Sequence, residues 1–170
     1  DASLAKTLGG VCSSAWNWIG SFIGLSLIDK AGRKLLLFLG FIIMSVGMLL
    51  MWIGNAFIMD INNTAAFIIM VVGVALFILG FEIGVGPIFF VLIGEMFPAE
   101  IKSKCVPVMN AIQWLGNLLV VFLFPILDNV MNGWVWFIFL LFNIFGGAVT
   151  WFLAVETKNV PLDKIHSMMY

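Results

Sequence analysis

Residues 65–94 read AAFIIMVVGVALFILGFEIGVGPIFFVLIG, and this run decides what kind of protein the chain forms. It holds one charge, Glu82, followed closely by Gly84, Gly86 and Pro87. About 20 apolar residues suffice to cross a hydrocarbon core about 30 Å thick. This run, as one unbroken helix rising about 1.5 Å per residue, would reach about 45 Å, so a tilt or a break is expected. A proline inside a helix removes a hydrogen bond to the preceding turn, which predicts a helix break at Gly84, Gly86 and Pro87. An acidic side chain at the centre of a membrane helix costs about 2.5–3.5 kcal/mol and faces a bundle interior or a water-filled path. Unwound backbone at that depth is tolerated only inside protein or beside a cavity. Small residues also let helices approach closely, but that does not explain Glu82. The combination predicts a chain that lines a path and does more than anchor.

The rest of the sequence fits a membrane setting. Hydrophobic residues make up 63% of the chain and charged residues 10%, with a mean hydropathy of +1.16; soluble domains carry about 25% charge. The fold class expected is all-α and polytopic, with five spans over residues 8–28, 35–54, 65–94, 105–127 and 134–155 and a cytoplasmic tail over 156–170. The short connections make consecutive spans antiparallel neighbours. A basic start with one short apolar core and a soluble domain behind it, the mark of a signal peptide, is not seen.

Net charge is −1, but the pattern matters more than the sum. Lys30, Arg33 and Lys34 lie between the first two spans, Lys102 and Lys104 between the third and fourth, and Lys158 and Lys164 after the fifth. Only Lys6 lies on the other side. The positive-inside rule places Asp1 outside and Tyr170 in the cytoplasm, and Trp52, Trp134 and Trp136 fit an aromatic belt at the outer boundary. On that topology Cys12 and Cys105 start near opposite faces, beyond disulfide reach, and free thiols are expected. Asn62, Asn63 and Thr64 form a glycosylation sequon too close to the third span to be used.

Two further spans carry polar stripes. Asn110, Gln113 and Asn117 are spaced i, i+3 and i+7 with Trp114 beside them. Amides can hold helices together, or they can bind a hydroxyl-rich ligand, since each both donates and accepts. Asn17 stands between Ser14 and Ser21 at the same spacing in the first span; serine there reads as packing, and Asn17 is the candidate. Asn143, beside Gly146 and Gly147, reads as a packing residue. At the cytoplasmic helix ends, Asp29, Arg33, Glu95, Glu100 and Lys102 could form a weak charge network of the kind a thermally opened gate needs, since exposed pairs contribute about 0–1 kcal/mol each.

These residues resemble a known family, the sugar-porter branch of the major facilitator superfamily, which includes glucose facilitators and bacterial xylose-proton symporters. Residues 29–34, Asp-Lys-Ala-Gly-Arg-Lys, are similar to its D/E-R-x-G-R-R signature between the eighth and ninth helices. Gly86-Pro87, and Glu95-Met96-Phe97-Pro98 with Lys102, resemble the tenth-helix motif and the E-x-F-P-x-x-x-R after it. Residues 113–117, Gln-Trp-Leu-Gly-Asn, resemble the sugar-contacting segment of the eleventh helix, and Glu156-Thr157-Lys158 the P-E-T-K that closes the twelfth. The resemblance implies helices eight to twelve of a twelve-helix transporter, with more helices before Asp1. It implies sugar-contact positions at or beside Asn17, Glu82, Phe90, Gln113, Trp114 and Asn117, and a cytoplasmic gate from Asp29, Arg33, Glu95 and Lys102.

Phe90 stands where the family has tryptophan, Phe89 where it often has proline or cysteine, Lys102 for arginine and Val155 for proline. A phenyl ring can stack on a sugar but donates no hydrogen bond, and lysine loses bidentate recognition of a carboxylate. The resemblance implies alternating-access transport of a monosaccharide, hexose or pentose, through the plasma membrane. The partners implied are the sugar, protons, membrane lipid and the N-terminal half of the same transporter, with no nucleic acid, metal or cofactor and no enzymatic activity. A carrier of another polar solute, such as a polyol or organic acid, is the alternative. A transporter-like nutrient sensor is a further one, though it would carry a long tail where 156–170 is short.

Overall fold

A computed structural model describes residues 2–154 together with Glu156 and Lys158; the side chains of residues 2–6, Leu8 and Asp29 are not described. Of the expected tail, 156–170, only Glu156 and Lys158 therefore fall among the described residues. The elements are α1 (Ala2–Ala31), α2 (Arg33–Ile53), α3 (Asn63–Gly80), α4 (Gly86–Met96), α5 (Ala99–Met131) and α6 (Val135–Leu153). A π-helical turn, Gly54–Ile58, extends α2, and a second, Phe81–Val85, joins α3 to α4. Among the described residues, five helical segments are long and apolar enough to cross a membrane: Gly9–Ile28, Arg33–Ile58, Asn63–Met96, Ala99–Met131 and Val135–Leu153.

The break expected at Gly84, Gly86 and Pro87 does not unwind the helix. The chain changes hydrogen-bond register instead: the N–H of Gly86 reaches back five residues to the carbonyl of Phe81, and Pro87 follows in the first turn of α4. Proline is tolerated in a first helical turn because its missing N–H is not needed there, and a single π-turn widens the helix without exposing backbone to lipid. Gly84 is buried against the neighbouring helix, so its role is close approach.

That approach is made by a seam of glycines. A Cβ placed on Gly40 would lie 2.7 Å from the Gly80 carbonyl and 2.9 Å from Gly84 Cα; on Gly47, 2.6 Å from the Gly73 carbonyl; on Gly73, 2.8 Å from the Gly47 carbonyl. Gly40, Gly47 and Gly54 repeat every seven residues on α2 and its π-turn, facing Gly80, Gly73 and Ala66 on antiparallel α3. Without a hydrophobic drive between helices in lipid, close backbone packing of this kind holds them together. Apolar clusters lie at either end of the seam. Ile28, Leu36, Leu37 and Ile88 form one, and Met48, Met51 and Leu140 the other.

Around this central pair, α6 packs on α2 and α1 packs on the Phe81–Val85 turn. Asn143 is buried and donates its Nδ2 hydrogens to the Phe41 carbonyl at 2.9 Å and to Ser45 Oγ at 2.8 Å, tying α6 to α2. Helix α5 buries no residue and meets only α4 and α6 among the described elements. Trp52 gathers Phe57, Trp134 and Phe137, with ring centroids 4.6–5.4 Å away, while Trp136 meets Phe124 at 4.9 Å. Cys12 and Cys105 are free thiols. Asn62 caps α3, its side-chain oxygen accepting from the N–H groups of Thr64 and Ala65 at 3.1 Å, which explains an asparagine at that position without glycosylation.

Candidate functional site

The π-turn presents Glu82 to α1. Asn17 Nδ2 donates to Glu82 Oε1 at 2.7 Å, and Ser21 Oγ donates to Oε2. Both carboxylate oxygens are thereby engaged by neutral donors one helical turn apart. Two glycines of α1 make this possible. A Cβ on Gly20 would sit 2.9 Å from Glu82 Cβ, and one on Gly24 only 2.3 Å from the Glu82 carbonyl oxygen, so α1 lies directly on the backbone of the turn. Trp16 Nε1 donates to the Ala75 carbonyl at 2.8 Å and fixes the same contact further along. A small open pocket of about 180 Å³, lined by Asn17, Trp18, Ser21, Phe22 and Leu25, adjoins the carboxylate's donors.

Asn17 and Glu82 are thus brought together. Ser21, which the sequence reading left as packing, is the residue missed; its signal was its place one turn beyond Asn17 on the same face. The α5 stripe is divided. Asn110 and Gln113 are half-buried, and Asn110 Oδ1 and Gln113 Oε1 are shielded with no hydrogen-bond partner among the described residues. Trp114 is 65% exposed, Phe90 is 50% exposed and Asn117 is exposed as well. These three are not packed into the Glu82 cluster, and α5 makes no contact with α1 among the described residues.

At the other end of the α1–α2 pair lies a charged latch. Arg33 Nη2 is 3.2 Å from Glu95 Oε1, with the two side chains 15% and 24% exposed, joining α2 to α4. Lys102, expected in the same network, is exposed on the first turn of α5; a Cβ on Gly94 would lie 3.9 Å from its ammonium, and among the described residues Arg33 is seen paired with Glu95. The side chain of Asp29 is not described.

Glu156 is the residue that sequence reasoning did not place in this latch. It accepts from the N–H of Arg33 at 3.0 Å, of Lys34 at 3.1 Å and of Lys158 at 2.9 Å, capping α2 from across the bundle. Gly32 has φ +89°, and a Cβ there would stand 2.7 Å from Glu156 Oε2; only glycine satisfies both demands without strain. Burial alone raises the Glu156 carboxyl pKa, but the three N–H groups and the Arg33 charge outweigh it and hold the group below its ordinary 4.5. No group of three or more metal-ligating side chains occurs among the described residues.

Among the described residues, a helical bundle of membrane-length segments, with a carboxylate held inside it and an ion pair joining α2 to α4 at one end, defines a polytopic integral membrane protein. The chain belongs to the sugar (and other) transporter family, whose profile matches residues 2–169. It is 33% identical over 159 residues to the glucose facilitated diffusion protein of Zymomonas mobilis, covering 89% of this chain and 32% of that one. It is 30% identical over 165 residues to the high-affinity gluconate transporter ght3 of Schizosaccharomyces pombe, covering 95% of this chain and 30% of that one. The chain therefore spans about a third of the length of these relatives. Its whole length superimposes on 36% of the major facilitator superfamily proton:xylose symporter XylE bound to 6-bromo-6-deoxy-D-glucose, at a TM-score of 0.85 and 24% identity. That likeness establishes the major facilitator fold.

Proposed function

We propose that the chain is the C-terminal part, helices eight to twelve over residues 1–170, of a transporter that carries a monosaccharide, a hexose or pentose, by alternating access. The observation that carries the reading is Glu82: a carboxylate inside a membrane bundle, on a π-turn, held by Asn17 and Ser21. A charged side chain at that depth costs free energy whatever its use, and such residues characteristically mark a ligand site or a path. Carriers built from helical repeats bind substrate near the bilayer midplane between their halves, and the inward-turned amide oxygens of Asn110 and Gln113 are acceptors in search of donors. A sugar hydroxyl supplies such a donor.

In this reading Asn17, Glu82, Gln113 and Asn117 contact hydroxyls, while Trp114 and Phe90 cover apolar ring faces. The exposure of Phe90, Trp114 and Asn117 is consistent with a cavity completed by the other half of the transporter. Arg33 and Glu95, with Asp29 and Lys102 nearby in sequence, form the cytoplasmic gate, and Glu156 belongs with them. Residue 1 faces outward and residue 170 the cytoplasm, in the plasma membrane. The partners are the sugar, lipid and the N-terminal half, and transport is either facilitated, as in the glucose facilitated diffusion protein, or coupled to protons, as in the proton:xylose symporter that shares the fold. The protein is a carrier and not an enzyme, and it needs no cofactor.

A second reading has a specific observation behind it. The gluconate transporter among its relatives favours a sugar acid as an alternative substrate. Uptake of labelled glucose by the full-length protein, in competition with unlabelled glucose, xylose, a polyol and gluconate, separates the two. Competition by the neutral sugars supports the monosaccharide reading, and competition by gluconate alone replaces it.

A further inference from the structure

The outer side of the α2–α6 pair, where Ile42, Val46 and Ala148 are exposed, carries a groove that the transport reading does not use. Its volume is about 360 Å³, and it is lined by Phe38, Phe41, Ile42 and Val46 of α2 and Gly147 and Ala148 of α6, within the range of about 300–1,000 Å³ that ligand sites occupy. Ser45, whose hydroxyl oxygen accepts from Asn143 Nδ2, also lines it. Its shape comes from Gly147, where a Cβ would already be 3.1 Å from Phe41 Cβ. From Phe38 to Val46 the groove follows two turns of helix, about 12 Å at about 1.5 Å per residue, close to the depth of one leaflet, half of about 30 Å.

The head of the groove is charged. Phe38 stacks on Trp151 with ring centroids 4.6 Å apart, and the Lys34 ammonium stands 5.6 Å from the centroid of the same Trp151 ring. Lys34, Phe38 and Phe41 form one stripe on α2, so the cation, the indole and the groove are continuous. Among the described residues no carboxylate lies within ion-pair distance of the Lys34 ammonium; Glu156 engages the Lys34 backbone N–H only. A cation above an apolar slot of nearly a leaflet's depth matches the charge and shape of a phospholipid with an anionic headgroup.

We infer that the α2–α6 groove is a binding site for an anionic phospholipid, with its phosphate on Lys34 beside Trp151 and one acyl chain along Phe38, Phe41 and Val46. The site lies at the end of the bundle that carries the Arg33–Glu95 latch. Placing that end in the cytoplasmic leaflet rests on the topology proposed above, whereas binding itself does not.

The test is native mass spectrometry of the full-length protein released from mixed phosphatidylglycerol and phosphatidylcholine of equal chain length. Phosphatidylglycerol is expected to be retained preferentially. Lys34→Gln should lower that preference about fivefold, the equivalent of about 1 kcal/mol per lysine. Lys34→Arg should keep it, and Ala148→Trp, which fills the groove from its exposed side, should lower it comparably. Lys104→Gln, which removes a basic residue outside the groove, should leave it unchanged. Soluble glycerophosphate should not displace the lipid. Equal losses from Lys34→Gln and Lys104→Gln, no loss from either Lys34→Gln or Ala148→Trp, or displacement by glycerophosphate would each overturn the site. Glucose uptake measured on the same variants reads the transport function separately.

Discussion

Glu82 shows how a single unfavourable residue can be stabilised locally. Its carboxylate receives two neutral donors from one face of α1, and hydrogen bonds to a charged group contribute about 1.5–3 kcal/mol each. Replacing Glu82 with alanine should therefore orphan Asn17 and Ser21, and substrate affinity in the full-length transporter should fall by about 5- to 150-fold for a loss of about 1–3 kcal/mol. Asn143 makes the opposite case. Both of its Nδ2 hydrogens are spent on α2, so Asn143→Ala should lower thermal stability by about 0.6–1.7 kcal/mol per lost hydrogen bond at most and leave affinity unchanged. A fall in affinity without loss of stability would put Asn143 in the path. The sequence made Asn17, Glu82 and Asn143 readable because polar residues in apolar runs have few explanations. Ser21 escaped because serine in a membrane helix is unremarkable until its distant partner is known.

At the scale of elements, the glycine seam and the latch hold neighbouring helices together. The seam leaves no room for a side chain: Gly47→Val would drive its Cβ into the Gly73 carbonyl, 2.6 Å away, and overpacking of this order costs about 1–3 kcal/mol. The purified protein should melt at lower temperature, and an unchanged Tm would mean that α2 and α3 can separate at no cost. The latch should respond to both charge and pH. Glu95→Gln removes the partner of Arg33, and a partly buried pair should bias the gate by about 1–3 kcal/mol, raising access of a thiol probe to Cys105 from the cytoplasmic side; unchanged labelling contradicts the gate. Because folding lowers the Glu156 pKa from 4.5, its stabilising contribution is complete above that pH and fades as pH falls through the lower folded-state value. Amide protection at Arg33 and Lys34, corrected for intrinsic exchange, should thus persist from neutral pH to about 4.5 and weaken below it. In Glu156→Gln the protection should be weaker and flat with pH. Spans and their charged ends were legible because hydropathy and loop charge are local. The seam, the place of Glu156 in the latch and the register shift were not. Gly40 meets Gly80, and Glu156 meets Arg33, across contacts that no local pattern encodes, and Gly84 with Pro87 reads equally as a kink, a break or a π-turn until the facing helix is in place.

For the whole molecule, the fold divides labour between a tightly packed centre and an open rim. Helices α2 and α3 form the glycine-sealed axis, α1 and the π-turn hold the carboxylate, and α5 stands at the edge with the Asn110 and Gln113 side-chain oxygens shielded, Trp114 and Asn117 exposed and Phe124 packed on Trp136. In the transport reading proposed above this asymmetry has a use, since a carrier needs one surface that stays packed and another that meets substrate and the opposing half. The central claim is that the polar residues of α1, the π-turn and α5 form one sugar-binding surface. The most direct test is equilibrium displacement of labelled glucose from the full-length protein, comparing Gln113→Ala with Asn143→Ala at matched amounts of folded protein. The account predicts a loss of about 5- to 150-fold for Gln113→Ala and none for Asn143→Ala. Equal responses from the two variants would contradict it, and would make the α5 amides helix glue.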